Sequence, residues 1–231
     1  MKTNILRDKI SNLKIAVDGS SCTGKGSLCA RLADEFNLYF YSSGVYYRKF
    51  AYLYLENESN IDQVFRLISL NPALFEELGE NIVQTENIAS VASDIARNLL
   101  VREFINQYNR DIFTKYPRVV MEGRDVGSVI APDSDVKIFL QASIDARARR
   151  RFEQESHRST GKSLEEIRVQ MLTRDNQDET RKLAPLMVAS DAIILDNSDE
   201  GFEEFYKIFV SAIEQKCAEL PDFAFGAKPI L

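Results

Sequence analysis

Residues 19–27 read Gly19-Ser20-Ser21-Cys22-Thr23-Gly24-Lys25-Gly26-Ser27, set between the apolar run Ile15-Ala16-Val17-Asp18 and the apolar-periodic segment Leu28-Cys29-Ala30-Arg31-Leu32. A Gly-rich turn between a strand and a helix is a phosphate cradle. Its glycines let the backbone close around a polyphosphate, successive N–H groups and the helix N-terminus present fixed positive dipoles, and Lys25 adds a mobile full charge. All nine residues are therefore candidates for holding a nucleoside triphosphate, with the Ser27 hydroxyl the candidate ligand for Mg2+. A flexible Gly/Ser loop is the bland alternative, and the flanking strand and helix patterns weigh against it. One departure from the strict pattern stands out: Ser or Thr should follow the lysine directly, but Gly26 intervenes before Ser27.

Outward from this loop, short apolar runs alternate with longer helical patterns. Ile15–Asp18, Leu38–Tyr41, Val119–Glu122, Val136–Leu140 and Ala192–Asp196 read as buried strands, mostly without polar alternation, the pattern of a parallel sheet covered on both faces. Helices are expected over Lys25–Phe36, Gly44–Leu55, Ile88–Thr114, Ile144–His157, Leu164–Lys182 and Glu203–Glu219. Ser163 with Glu166 forms a capping box, and Pro185 helps to stop the helix that follows it. The fold class is α/β, a three-layer doubly wound parallel sheet in which ligands sit beyond the carboxyl ends of the strands. Residues 57–85 contain Asn71-Pro72 and Gly79 but no clear strand, and we read them within a small inserted lobe over about 50–95 of a single domain, 1–231. The first 12 or so residues and the tail Pro221–Leu231 read as loosely held extensions.

Composition suits a soluble enzyme. The chain has 231 residues, 45% hydrophobic and 28% charged, enough for one substantial core. A net charge of −6 argues against bulk binding to nucleic acid, which needs clustered cationic excess. Cys22, Cys29 and Cys217 are odd in number and lack metal-ligand spacing, which points to a reduced, cytoplasmic setting. Cys22 is read as a small loop-filling residue rather than an oxidisable one. We expect no secretory leader, and no apolar run approaches the ~20 residues of a membrane span.

Three constellations narrow the chemistry. Ser42-Ser43-Gly44-Val45-Tyr46-Tyr47-Arg48 follows the second strand, so its hydroxyls and Arg48 should face the crevice of the phosphate loop, although Ser-Gly also suits a plain helix cap. Glu122-Gly123-Arg124-Asp125-Val126-Gly127 ends the third strand, where Arg124 offers a bidentate fork for phosphate and Asp125 an acceptor for an amine. An ordinary ion pair in a surface turn would read the same way. Arg147, Arg150 and Arg151 stand at i, i+3 and i+4 of one helix, either around a triphosphate or on a solvated face balanced by Glu153 and Glu155. Farther on, Ile167, Met171, Arg174, Asp178 and Arg181 form a stripe that turns from apolar to charged, the wall of a cleft or a surface ladder.

With these motifs in view the chain resembles a bacterial-type cytidylate kinase, a nucleoside monophosphate kinase rather than a GTPase, over about Lys14 to Glu219. The resemblance rests on Asp18–Ser27, Ser43–Arg48, Glu122–Asp125 and Arg174-Asp175…Asp178…Arg181…Ala184-Pro185-Leu186 in that order. It implies transfer of the γ-phosphoryl of ATP to CMP and dCMP with Mg2+, an inserted lobe closing over the monophosphate, and an Arg-rich lid over about 147–178. Carried over, Ser43, Arg102 and Asp125 recognise cytosine, with Tyr47 beside them; Ser93, Arg174 and Asp178 approach the sugar; Arg48, Arg124 and Arg181 clamp the acceptor phosphate. Lys25, Arg124, Arg150, Arg151 and Arg181 serve catalysis and Arg147 binds ATP. An Asp is usual where Ser42 stands, and the stretch from Arg48 to Ser93 is shorter than in many bacterial members.

An acceptor phosphate is already anionic, so no general base is needed, and His157 is expected to end a helix rather than catalyse. We expect a monomer. The nearest alternatives are a UMP or AMP kinase and, in another class, a GTPase switch, which the lack of an Asn-Lys-x-Asp motif disfavours. An inactive interaction protein is a third, disfavoured by the complete set of cations.

Overall fold

Nearly every residue of Leu13–Gly19 is buried, as befits a strand with neighbours on both edges and helices on both faces. In the computed structural model, which describes residues 6, 11–79, 86–156 and 161–220, this strand, β1, is joined by β2 (Tyr39–Ser42), β3 (Arg118–Gly123), β4 (Val136–Gln141) and β5 (Ile193–Asp196). Their order is β2-β3-β1-β4-β5, a parallel sheet in which Asp18 lies beside Gly123 on one edge and Phe139 on the other, and Leu140 beside Leu195. Strand carboxyl ends of β1 and β3 thus come level, at the phosphate loop and the Gly-Arg-Asp turn. All five strands fall where the apolar runs place them.

Along the chain the helices are α1 (Lys25–Phe36), α2 (Gly44–Glu56), α3 (Ile61–Leu70), α4 (Pro72–Glu77), α5 (Glu86–Ile95), α6 (Leu99–Lys115), α7 (Ile144–Ser156), α8 (Leu164–Thr180) and α9 (Phe202–Ala218), with a π-helical turn at Val126–Ile130. The helix expected over Ile88–Thr114 is two helices. Asn98 restarts the chain, its Oδ1 accepting from the Val101 N–H at 3.2 Å and its carbonyl from the Arg102 N–H at 3.0 Å, the preferred chemistry of a helix start. In the stretch 57–85, where no clear strand is expected, Asn60 accepts from the Gln63 N–H to open α3, and Pro72 opens α4. The α8 capping box forms as read, with Ser163 and Glu166 bonded reciprocally, but α8 ends at Thr180 and Arg181 turns out in extended conformation. His157, residues 80–85 of the lobe, residues 1–5 and 7–10 and the tail 221–231 lie outside the described residues.

The chain divides into two compact units, Met1–Tyr41 with Ile112–Leu231, and Ser42–Asp111. In the first, Ile15, Val17, Val120, Ile138 and Leu140 of the sheet pack with Leu28, Leu32 and Phe36 of α1 and Phe205, Phe209 and Ile213 of α9. The second has an aromatic core, with Tyr46 against Phe75 and Phe104 against Tyr108, each pair at 5.1 Å between ring centroids. Among its described residues, beyond Ser42 at the end of β2, the regular elements are helices.

Candidate nucleotide site

Backbone geometry at the end of β1 explains the glycines. Gly19 has φ +144°, and a Cβ there would lie 2.0 Å from the carbonyl oxygen of Leu140; Gly24 has φ +97°, where a Cβ would meet Asn197 Nδ2 at 2.9 Å. Both positions need the freedom and the small size of glycine. Cys22 is also left-handed, at φ +58°, and only half-buried. Gly26 differs: a Cβ there would meet nothing within 4 Å. Lys25, the first residue of α1, is buried, and its Nζ donates to the carbonyls of Gly19 at 2.7 Å and Ser20 at 2.6 Å and to Thr23 Oγ1 at 3.3 Å. Burial, with the nearby Arg124 charge, lowers its pKa to about 7 against the pull of Glu122 and Asp18.

The donor set fits a polyphosphate. The first turn of α1 carries backbone N–H groups without intrahelical acceptors, the Ser21 hydroxyl is buried without a hydrogen-bond partner, and the Ser27 side chain is exposed beside them. Among the described residues no group of three His, Cys, Asp or Glu gathers to hold a metal. Mg2+ in kinase sites leans instead on phosphate oxygens and water with few protein ligands, and a single hydroxyl such as that of Ser27 suits that pattern.

Beyond β3 a second charged centre forms within the same unit. Asp178, buried on α8, is gripped by two arginines: Arg124 Nε stands 3.1 Å from Oδ2 and Arg181 Nη1 3.6 Å from Oδ1. Arg181 Nη2 also lies 4.0 Å from Asp125 Oδ2, and Arg181 Nε donates to the Ala184 carbonyl at 2.6 Å. Arg124 is thus not paired with its neighbour Asp125 in a surface turn. Burial opposes its charge, but Asp178 and Glu122 outweigh that and raise its pKa. Arg174 Nε is buried without a hydrogen-bond partner, and burial together with the Arg124 charge lowers its pKa. Such a group gains from an anion.

The three arginines of α7 have separate partners. Arg147 is buried, with Nη1 2.6 Å from Asp175 Oδ2 of α8 and Nε donating to the Ala142 carbonyl. Arg150 Nη2 donates to the Asn197 carbonyl at 2.7 Å, leaving Nη1 without a hydrogen-bond partner. Arg151 pairs with Glu155 at 2.6 Å. Mutual repulsion is relieved by these partners and not by an intervening anion alone.

In the unit Ser42–Asp111, Ser43 is buried at the start of α2 but makes no side-chain capping bond, so the plain-cap reading does not describe it. The Arg48 guanidinium lies over Gly44, where a Cβ would sit 3.0 Å from Nη1. Tyr47 donates its hydroxyl to Asn106 Oδ1 at 3.3 Å, and Arg102 stands over its ring at 5.6 Å while donating from Nε to the Ala96 carbonyl at 2.9 Å. Ser93, half-buried, is on α5 of this same unit.

Three positioning residues escaped the sequence reading. Asn197, just past β5, donates from Nδ2 to the Thr23 carbonyl at 2.9 Å while its own carbonyl holds Arg150; its place beyond a strand's carboxyl end was the available signal. Asp175 sits inside a quoted motif, but its partner Arg147 is 28 residues away. Asn106 follows Arg102 by one helical turn, the one hint that it faces the same way.

The cytidylate kinase family model matches residues 15–215. Cytidylate kinase of Rickettsia canadensis (strain McKiel) is 38% identical over 192 residues, 83% of this chain and 87% of that protein. Cytidylate kinase of Rickettsia rickettsii (strain Sheila Smith) is 36% identical over 210 residues, 90% and 95% of the two. Among solved structures, shikimate kinase from Bacteroides thetaiotaomicron superposes on 91% of this chain and all of its own at 15% identity, with a TM-score of 0.48.

Proposed function

The chain belongs to the cytidylate kinase family, and from that premise we propose how its own residues move the γ-phosphoryl group of ATP to CMP. The glycines and N–H groups of the loop 19–27 hold the triphosphate and Lys25 follows its β- and γ-oxygens. Ser27 contributes the protein's hydroxyl to Mg2+, which when bound neutralises phosphate charge. Arg48, Arg124 and Arg181 grip the acceptor phosphate. Asp125, Ser43, Tyr47 and Arg102 read the base, and Ser93, Arg174 and Asp178 meet the sugar, in dCMP as well as CMP. Arg150 and Arg151 stabilise the transferring group, while Arg147, bound to Asp175, enters through the helix pair it braces. We propose further that the enzyme acts as a monomer, which size-exclusion chromatography with light scattering checks.

In this reading an acceptor-phosphate oxygen, already anionic, forms the new P–O bond in line as the bond to the ADP oxygen breaks, with no proton to remove and no covalent enzyme intermediate. Positioning and neutralisation of spreading charge are what the protein supplies. One observation supports it most: the buried Asp178 carboxylate aims two guanidinium groups from different parts of the sequence, Arg124 and Arg181, within a single unit. ADP release with ATP, Mg2+ and a panel of CMP, dCMP, UMP and AMP tests it. CMP should lead, dCMP follow, and UMP and AMP fall at least about tenfold behind, because unpaired buried polar groups reject the wrong base. A preference for AMP or UMP, or GTP hydrolysis indifferent to acceptor, would overturn the reading.

A further inference from the structure

Asp18 is the last strand residue before the phosphate loop, and it is buried. Its carboxylate does not reach into the loop. Oδ1 accepts from the Val126 N–H at 2.8 Å and Oδ2 from the Gly127 N–H at 2.7 Å. Those two N–H groups open the π-helical turn Val126–Ile130, where the preceding Asp125 makes no side-chain capping bond. Opening N–H groups of a helical turn have no partner within it, so a carboxylate from the neighbouring strand completes the turn. Asp125 and Arg124 are the residues immediately before it, and from them the network runs to Arg181 and Asp178.

We propose that Asp18 is a positioning residue for the transfer: by binding the N–H groups of Val126 and Gly127, it sets the Arg124-Asp125 turn in fixed register with the phosphate loop one residue away. This rests on the acceptor-side roles given above to Arg124 and Asp125. Burial pushes the Asp18 carboxyl up to about 6 in spite of the two N–H bonds and the Lys25 charge, so the fold bears a cost at this position that the phosphate loop's own geometry does not require.

Steady-state kinetics of Asp18→Asn test it. The amide keeps the shape and one acceptor, but its NH2 faces a backbone N–H, so the turn loses one of its two ties. A displacement of the turn on the order of 1 Å should lower kcat and raise KM for CMP by a combined factor of about 100, with KM for ATP within about threefold. Asp18→Ser, whose shorter hydroxyl stops short of both N–H groups, should show a loss of the same kind at least as large and serves if the amide variant does not fold. Equal losses for ATP and CMP, tracking lost thermal stability, would reduce Asp18 to a structural residue and overturn the proposal. Unchanged kinetics for CMP would overturn it too. Failure of the wild-type protein to phosphorylate CMP would instead overturn the functional reading.

Discussion

Lys25 stores an opposition that can be measured two ways. Lys25→Met should reduce kcat by about a thousandfold, comparable to removing a preorganised charge from a transition state, with CMP binding followed by calorimetry little changed. Between its native pKa of about 7 and its ordinary value of 10.5, the unfolded chain holds more protons on this lysine than the native one. Native stability from this group therefore rises with pH across that window. Urea unfolding at pH 7 and pH 9 should show the wild type gaining on Lys25→Met at the higher pH; a constant difference would mean an unshifted lysine. Asp125→Ala should cut the preference for CMP over UMP by about tenfold or more while sparing KM for ATP, since its lost acceptor leaves the base unread; equal losses for both acceptors would remove it from recognition. Gly26→Ala adds a methyl that meets no protein atom within 4 Å in a helix's first turn. It should fold at least as stably as the parent, by about 0.5–1 kcal/mol if helix propensity acts alone, and bind ATP more weakly in a fluorescence titration.

Helices α7 and α8 are coupled by charge as well as by the apolar contact of Ala148, Ile167 and Met171. Removing one partner of the buried Arg147–Asp175 pair leaves the other uncompensated, so Asp175→Ala should cost about 3–5 kcal/mol in urea unfolding. The double variant with Arg147→Met should recover a large part of that. A double variant as unstable as the single one would show that shape, not charge, joins the helices. Elements of this kind were only half legible in the sequence. Strands announced themselves because the central ones, β1, β3 and β4, are buried on both faces and the apolar runs of all five are largely unbroken. The capping box at Ser163 was visible because its partners are three residues apart. Asn98, which splits one expected helix into α5 and α6, was hidden by the surrounding apolar periodicity, and α3 and α4 by their short length and by the left-handed Glu58 and Ser59 between α2 and α3.

For the whole molecule, local motifs placed the loop, the Gly-Arg-Asp turn and the late arginines, but not which carboxylate each arginine takes. Asp178, expected at the sugar, also anchors Arg124 and Arg181, and Asp175 was not assigned at all; both pairings depend on tertiary approach that spacing does not encode. One consequence concerns the environment in which the enzyme works. Because Arg124, Arg147, Arg151 and Arg181 each keep a carboxylate within 4.0 Å, the guanidinium cluster of this unit is internally compensated instead of forming a bare electropositive well. Raising KCl from low to near-physiological strength should then change KM for either nucleotide by no more than about threefold, because a compensated cluster projects little net field for salt to screen. A steep salt slope would mean those carboxylates swing away before the nucleotide arrives.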